Sequence, residues 1–197
     1  MAATGLLATC ARRGVTVIAV LLALPGQPEA QERRYVDLFA GQMTTNKFYQ
    51  AVDPTSVDFA DSWFLGAGFG WERPIGASRF DWGLQAQIVG HAGRQDHFEV
   101  NVPVIIRYRP RDPWPRWVES TAFGIGVSHA TKTPQVEIDR RGESSRSFVY
   151  WMAEIEIAHP RPGSSVIARL HHRSDGYGLY DAEGGSSALV IGWRMSF

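Results

Sequence analysis

The amino-acid sequence predicts an all-β protein: an eight-stranded antiparallel transmembrane β-barrel of outer-membrane type, with a polar lumen filled by side chains. Three observations carry this expectation. Eight segments alternate apolar and polar residues with period two, the pattern of strands with two unlike faces. The apolar faces hold most of the large side chains, while the opposite faces combine charge with glycine, the reverse of a water-soluble barrel. The last residue, Phe197, is an aromatic on the apolar face of the last segment.

The elements follow in chain order. Residues 1–30 read as a secretory signal: Arg12 and Arg13 form a positive start, "GVTVIAVLLALP" an apolar run too short to span a bilayer as a helix, and "GQPEA" a small-residue cleavage site after Ala30. A membrane anchor is the alternative use of that run. Residues 31–197 then form one domain. "RYVDLFAG" is the first strand. In "WFLGAGFGWE", Trp63, Leu65, Ala67, Phe69 and Trp71 share one face, and glycines with Glu72 take the other. In "RFDWGLQAQIVG", Phe80, Trp82, Leu84 and Ile88 oppose Asp81, Gly83, Gln85 and Gln87. In "HFEVNVPVIIRYR", Phe98 to Tyr108 at every second position oppose Glu99, Asn101, Arg107 and Arg109. "TAFGIGVS" sets Phe123, Ile125 and Val127 against glycine, and "FVYWMAEIEIAH" sets Trp151, Ala153, Ile155 and Ile157 against Glu154 and Glu156. "SSVIARLHHRS" is the seventh strand. "ALVIGWRMSF" is the eighth, with Leu189, Ile191, Trp193, Met195 and Phe197 on one face.

The charged face carries Asp81, Glu99, Arg107, Arg109, Glu154, Glu156, Arg169 and Arg194, which can pair across a narrow lumen. The aromatics Trp63, Trp71, Trp82, Tyr108, Trp151 and Trp193 stand near strand ends, as an aromatic girdle does. Eight strands leave room only for side chains, so no open pore is expected. Connections after the second, fourth and sixth strands are the shorter ones, and those after the first and fifth are long and polar. This places both termini in the periplasm and the odd strands running outward. A soluble lipid-binding barrel is the rival architecture, and it would turn the Trp63 and Leu189 faces inward.

Composition narrows the function. The formal net charge is zero, so no nucleic-acid footprint shows. The one cysteine, Cys10, lies in the signal segment, which leaves the mature chain without disulfide or thiolate chemistry. No convincing set of metal ligands stands out.

The seventh strand ends in "LHHRSDGYGLYDAEGG". Val166, Ala168, Leu170, His172 and Ser174 share one side, and the first three are apolar, so that side faces lipid. His172 and Ser174 then stand on the outer wall at outer-leaflet depth, with Cα atoms about 7 Å apart. An imidazole within reach of a hydroxyl is the start of an activated serine nucleophile. His171, Arg169 and Arg173 point into the lumen as part of its polar network.

An outer-membrane barrel with His-x-Ser at the outer end of strand seven, a glycine-containing loop and a final strand ending in Phe resembles the lipid A 3-O-deacylase family of PagL type. The resemblance implies a serine esterase acting on the 3-O-linked acyl chain of lipid A. It implies lipopolysaccharide as substrate, the outer membrane as location, and no cofactor or metal. Carried over by position, Ser174 is the nucleophile and His172 the general base. Two departures stand out: Asp175 follows the serine where the family has Asn, and Ser186 stands where its acid is expected. Glu183 is favoured as the group that orients His172, with Asp181 as the alternative and Ser186 as the partner if no acid serves. A non-catalytic barrel that binds a partner or stiffens the membrane is the other reading.

Overall fold

In the computed structural model, residues 32–46, 50, 56–112 and 115–197 are described. Residues 1–30, expected from the sequence to be a secretory signal, lie outside them. The chain forms a closed barrel in which each strand pairs antiparallel with the next and the last returns to the first. The strands are β1 (Arg33–Thr44), β2 (Phe59–Pro74), β3 (Phe80–Gly93), β4 (Phe98–Tyr108), β5 (Val118–Ala130), β6 (Ser147–Ala158), β7 (Ser164–Ser174) and β8 (Gly185–Ser196). A short helix, α1 (Gln135–Arg141), lies between β5 and β6.

Exposure alternates along the strands, and the exposed face is the apolar one. Leu65, Ile88, Val104, Ile125 and Ile191 project outward, Leu65 being 59% and Ile191 65% exposed. Trp63, which a soluble barrel would bury, is 50% exposed. An apolar outer band of this kind requires lipid around it. Trp82, Phe80, Tyr108, Trp117 and Phe197 cluster at the end that holds both chain termini, while Phe59, Trp63 and Phe98 stand at the opposite end. They form the two aromatic girdles of a barrel in a bilayer.

The inner face is polar and closely paired. Arg107 reaches Glu72, Glu154 and Glu156 at 2.9, 2.9 and 3.2 Å. Arg169 bridges Asp37 and Glu154, and Arg194 also holds Asp37 and Glu154. At the terminal end, Arg33 and Arg109 share Asp81. Each ion removed from water costs several kcal/mol unless it is paired, and here every one is. Asp37 belongs to β1 and both of its arginines to β7 and β8, so these bridges span the seam where the barrel closes.

The lumen is not polar throughout. Phe39, Met43, Phe64, Val89, Val136, Ala188 and Val190 form an apolar plug toward the loop end. These rings fit because glycine faces them on the neighbouring strand: a Cβ on Gly66 would collide with the Phe39 ring, and one on Gly41 with Phe64.

α1 was not expected from the sequence. Pro134 occupies its N-cap, Glu137 its first turn, and Arg140 and Arg141 its last, while Gly142 closes it with φ 87° and donates its N–H to the Ile138 carbonyl. The helix sits at the loop end, over the β7–β8 edge.

Two substitutions test the inverted barrel. Val104→Arg, on the lipid face near mid-strand, should cost about 2–4 kcal/mol of folding free energy in bilayers. Arg107→Met takes a shared arginine from Glu72, Glu154 and Glu156, which keep Arg109, Arg169 and Arg194 as partners, and should cost up to about 3–5 kcal/mol. Reversible urea unfolding in lipid vesicles measures both. A stability unchanged by Val104→Arg would show that this face does not meet lipid.

Candidate active site

β7 carries two rows of side chains with different tasks. His172 and Ser174 stand on the outer row, and His171 and Arg173 on the inner row. Across the β6–β7 ladder, Trp151 is opposite His172 and Val149 opposite Ser174. Across the β7–β8 ladder, Ser187 is opposite His172 and Gly185 opposite Ser174.

His172 is 8% exposed, although it faces outward. The Trp151 ring covers it at 4.7 Å between centroids. Its Nδ1 lies 2.9 Å from Ser187 Oγ. The direction of this bond follows the tautomer: with its hydrogen on Nδ1 the imidazole donates to Ser187, and with it on Nε2 it accepts from the hydroxyl. Gly185 leaves Ser174 room, because a Cβ there would meet the Arg173 carbonyl at 2.8 Å and Ser174 Cα at 3.3 Å.

These residues line a groove of about 690 Å³ in the outer wall. Phe123, Ile125, Val149 and Trp151 contribute its apolar lining, His172 and Ser174 its polar edge, and Asp175, Gly176, Tyr177 and Leu179 of the following loop its rim. Arg140 and Arg141 of α1 also border it. The rim is conformationally unusual. Gly176 and Gly178 take φ values of 68° and 84°, and Tyr177 between them takes 60°, a strained value for a residue with a side chain. The Tyr177 and Leu179 side chains are exposed.

The sequence favours Glu183 as the orienting group, with Asp181 as the alternative. Glu183 is exposed, and its backbone N–H donates to Glu143 Oε1 at 2.9 Å. Ser186 points inward and donates to Glu137 Oε1 at 2.7 Å. The group on His172 Nδ1 is Ser187. The reason is parity: in the observed register Ser187, not Ser186, shares the outer face with His172.

The inner row supports the outer one. His171 Nε2 lies 3.0 Å from Glu99 Oε1, and Arg173 reaches Glu99 at 3.3 Å and Glu137 at 3.0 Å. Glu137 also accepts from Ser144 Oγ at 2.5 Å. This buried carboxylate of α1 thus ties the helix to both β7 and β8. Burial pushes its carboxyl above the usual range, against the opposing pull of Arg173 and the two serines.

His91, His97 and Glu99 bring ligand-type atoms within 4.8 Å of one another in the upper lumen. Their hydrogen bonds do not suit a metal. The Gln95 carbonyl accepts from Val136 N–H, which leaves its NH₂ 2.9 Å from His91 Nδ1 as donor. The remaining His91 proton then sits on Nε2, 3.3 Å from Glu99 Oε2. The His91 and His97 rings stack at 4.4 Å and 16° rather than converging on one point. Burial holds the loop residue His97 down at about 4, so it is neutral at pH 7.

Comparisons with known proteins bear on the fold. No protein-family model matches the chain, and no curated protein matches it. Among solved structures, the outer membrane enzyme PagL superposes with a TM-score of 0.54 at 15% identity, over 82% of this chain and 98% of that one. Neisserial surface protein A superposes at 0.48 with 11% identity, over 84% and 97%. Ail, the attachment invasion locus protein of Yersinia pestis, superposes at 0.46 with 13% identity, over 85% and 99%. The chain is an outer-membrane type eight-stranded barrel. At 15% identity the likeness to PagL is one of fold alone.

The raised Glu137 pKa has a consequence for α1. The docked state holds its proton more tightly than the undocked state, so docking is firmest below the raised pKa. It weakens as pH rises through that pKa and levels off above it. Glu137→Gln should remove this dependence. Protection of residues 135–141 against amide exchange, corrected for intrinsic rate, is the readout. A wild-type profile as flat as the variant's would contradict the assignment.

Proposed function

We propose that this protein is a serine esterase of the bacterial outer membrane that removes the 3-O-linked acyl chain of lipid A. The observation that carries the reading is the shared placement of His172 and Ser174. Both border one groove on the lipid-facing wall, and Ser187 holds the imidazole from behind. A lipid ester reaches such a site sideways through the outer leaflet, its acyl chain lying against Phe123, Ile125 and Trp151.

The chemistry is acyl transfer in two halves. Ser174 Oγ attacks the ester carbonyl while His172 Nε2 takes its proton. The tetrahedral intermediate collapses, and His172 returns the proton to the departing sugar oxygen. Water, deprotonated by the same imidazole, then attacks the acyl-serine, and His172 returns that proton to Ser174 Oγ as the fatty acid leaves. Backbone N–H groups at the Gly176 turn are the donors nearest to hand for the oxyanion. Ser187 fixes the tautomer and orientation of His172 as an acid would, but it brings no charge to balance the imidazolium. A slower enzyme than one with a full triad is the consequence.

Acyl release from lipid A in mixed detergent micelles tests this, with barrel folding checked in parallel. Ser174→Ala and His172→Ala should each abolish most turnover, and the double variant should be no worse, because nucleophile and base act as a unit. Ser187→Ala removes a neutral hydrogen bond and should slow turnover by about tenfold. Glu183→Gln should change little. Full activity in folded Ser174→Ala would remove the proposal, and a large loss in Glu183→Gln alone would return the orienting role to that acid.

A further inference from the structure

We propose that Arg140 and Arg141 form a phosphate-binding subsite, so that the lipid whose ester enters the groove carries a phosphate on its headgroup. The inference rests on the reading of the groove as a lipid-ester site and adds to it what the headgroup must be.

The arginines of the lumen are all paired. Those of α1 are not: among the described residues neither Arg140 nor Arg141 forms an ion pair. The acids around them are engaged elsewhere. Glu137 turns inward to Arg173, Asp139 pairs with Arg94 at 2.6 Å, and Glu143 accepts from the Glu183 backbone. Asp175 borders the groove but bridges to neither arginine. Burial and the like charge of Arg141 push the Arg140 pKa down against the opposing pull of Glu137, an environment in which a bound anion would be favourable.

Position identifies the anion. Arg140 and Arg141 border the groove from α1, beyond the ends of β5 and β6, while Phe123 and Ile125 line it further down β5 and His172 and Ser174 stand at the end of β7 toward the rim. An amphiphile with an acyl chain at one end and a phosphate at the other fits that order. Guanidinium forks match phosphate oxygens bidentately, and two adjacent ones neutralise a dianion. The helix that presents them is fixed through Glu137 to the residues beside the reactive pair, Arg173 and Ser186. The subsite and the nucleophile therefore keep a set spacing, which would select which ester of a multiply acylated lipid meets Ser174.

The full-length mature protein carrying Ser174→Ala, in detergent, binds lipid without cleaving it. Calorimetric titration with bisphosphorylated lipid A and with the same lipid stripped of phosphate gives the comparison. The phosphorylated form should bind about tenfold or more tightly, the gain expected of charge-assisted contacts. Arg140→Gln with Arg141→Gln should erase that preference, whereas Arg146→Gln, a charge removed outside the groove, should retain it. Inorganic phosphate at the same concentrations should displace neither lipid. Equal affinity for the two lipids, an undiminished preference in the double variant, or its loss in Arg146→Gln would overturn the subsite. So would displacement by inorganic phosphate, which would mark a site for the free ion. These titrations are independent of acyl release, so a failure of hydrolysis and a failure of phosphate recognition are read separately.

Discussion

The network of buried ions in the lumen is the constraint on which the rest of the structure depends. Buried Arg107, Arg169 and Arg194 meet Asp37, Glu72, Glu154 and Glu156, and at the terminal rim the more exposed Arg33 and Arg109 close onto Asp81. Such ions are tolerable away from water only when each finds its partners, and a slip of one strand would turn a whole row of them into lipid. Register, closure and the inside–outside sense of the barrel are therefore set together. With the polar side chains committed inward, the large apolar ones must face out. A reactive group that meets a lipid ester can then stand only on the outer wall, near the rim where polar residues are tolerated.

β7 shows how one strand serves both sides. Its lower half follows the general rule, with Val166 and Ala168 outside and Arg169 inside. Its upper half replaces the outer apolar row with His172 and Ser174, while His171 and Arg173 continue the inner network through Glu99 and Glu137. The outer pair thus rests on a backbone pinned from within. α1 extends the same arrangement over the rim, because its one buried carboxylate closes onto Arg173 and Ser186 while its two arginines turn toward the groove. The groove residues of β7, the lumenal network beneath them and α1 are thus tied into one assembly.

Much of this was legible in the sequence, since period-two alternation assigns faces without knowledge of neighbours. That is how the eight strands, the apolar exterior and the common face of His172 and Ser174 could be read. What depends on cross-strand register could not. Alternation already puts Ser187 on the outer face with Leu189 and Ile191, but that it stands opposite His172 follows only from the β7–β8 register. The apolar plug was hidden for a similar reason: Phe39 and Phe64 are accepted inside because glycines stand opposite on a partner strand. α1 had signals of its own in Pro134, Glu137, the arginine pair and Gly142, but seven residues inside a long polar loop fall below the length at which helical periodicity shows.

The central claim is that Ser174 is a nucleophile activated by His172 and reached from the lipid phase. A fluorophosphonate carried on a long acyl chain tests it directly, because Ser174 Oγ would displace fluoride and keep the phosphonyl group. The folded protein is treated with this probe in lipid vesicles, and peptide mass spectrometry locates the adduct. The account predicts modification at Ser174, strongly reduced in His172→Ala and blocked by excess lipid A. An unmodified Ser174 in the folded barrel, or equal labelling without His172, would contradict it.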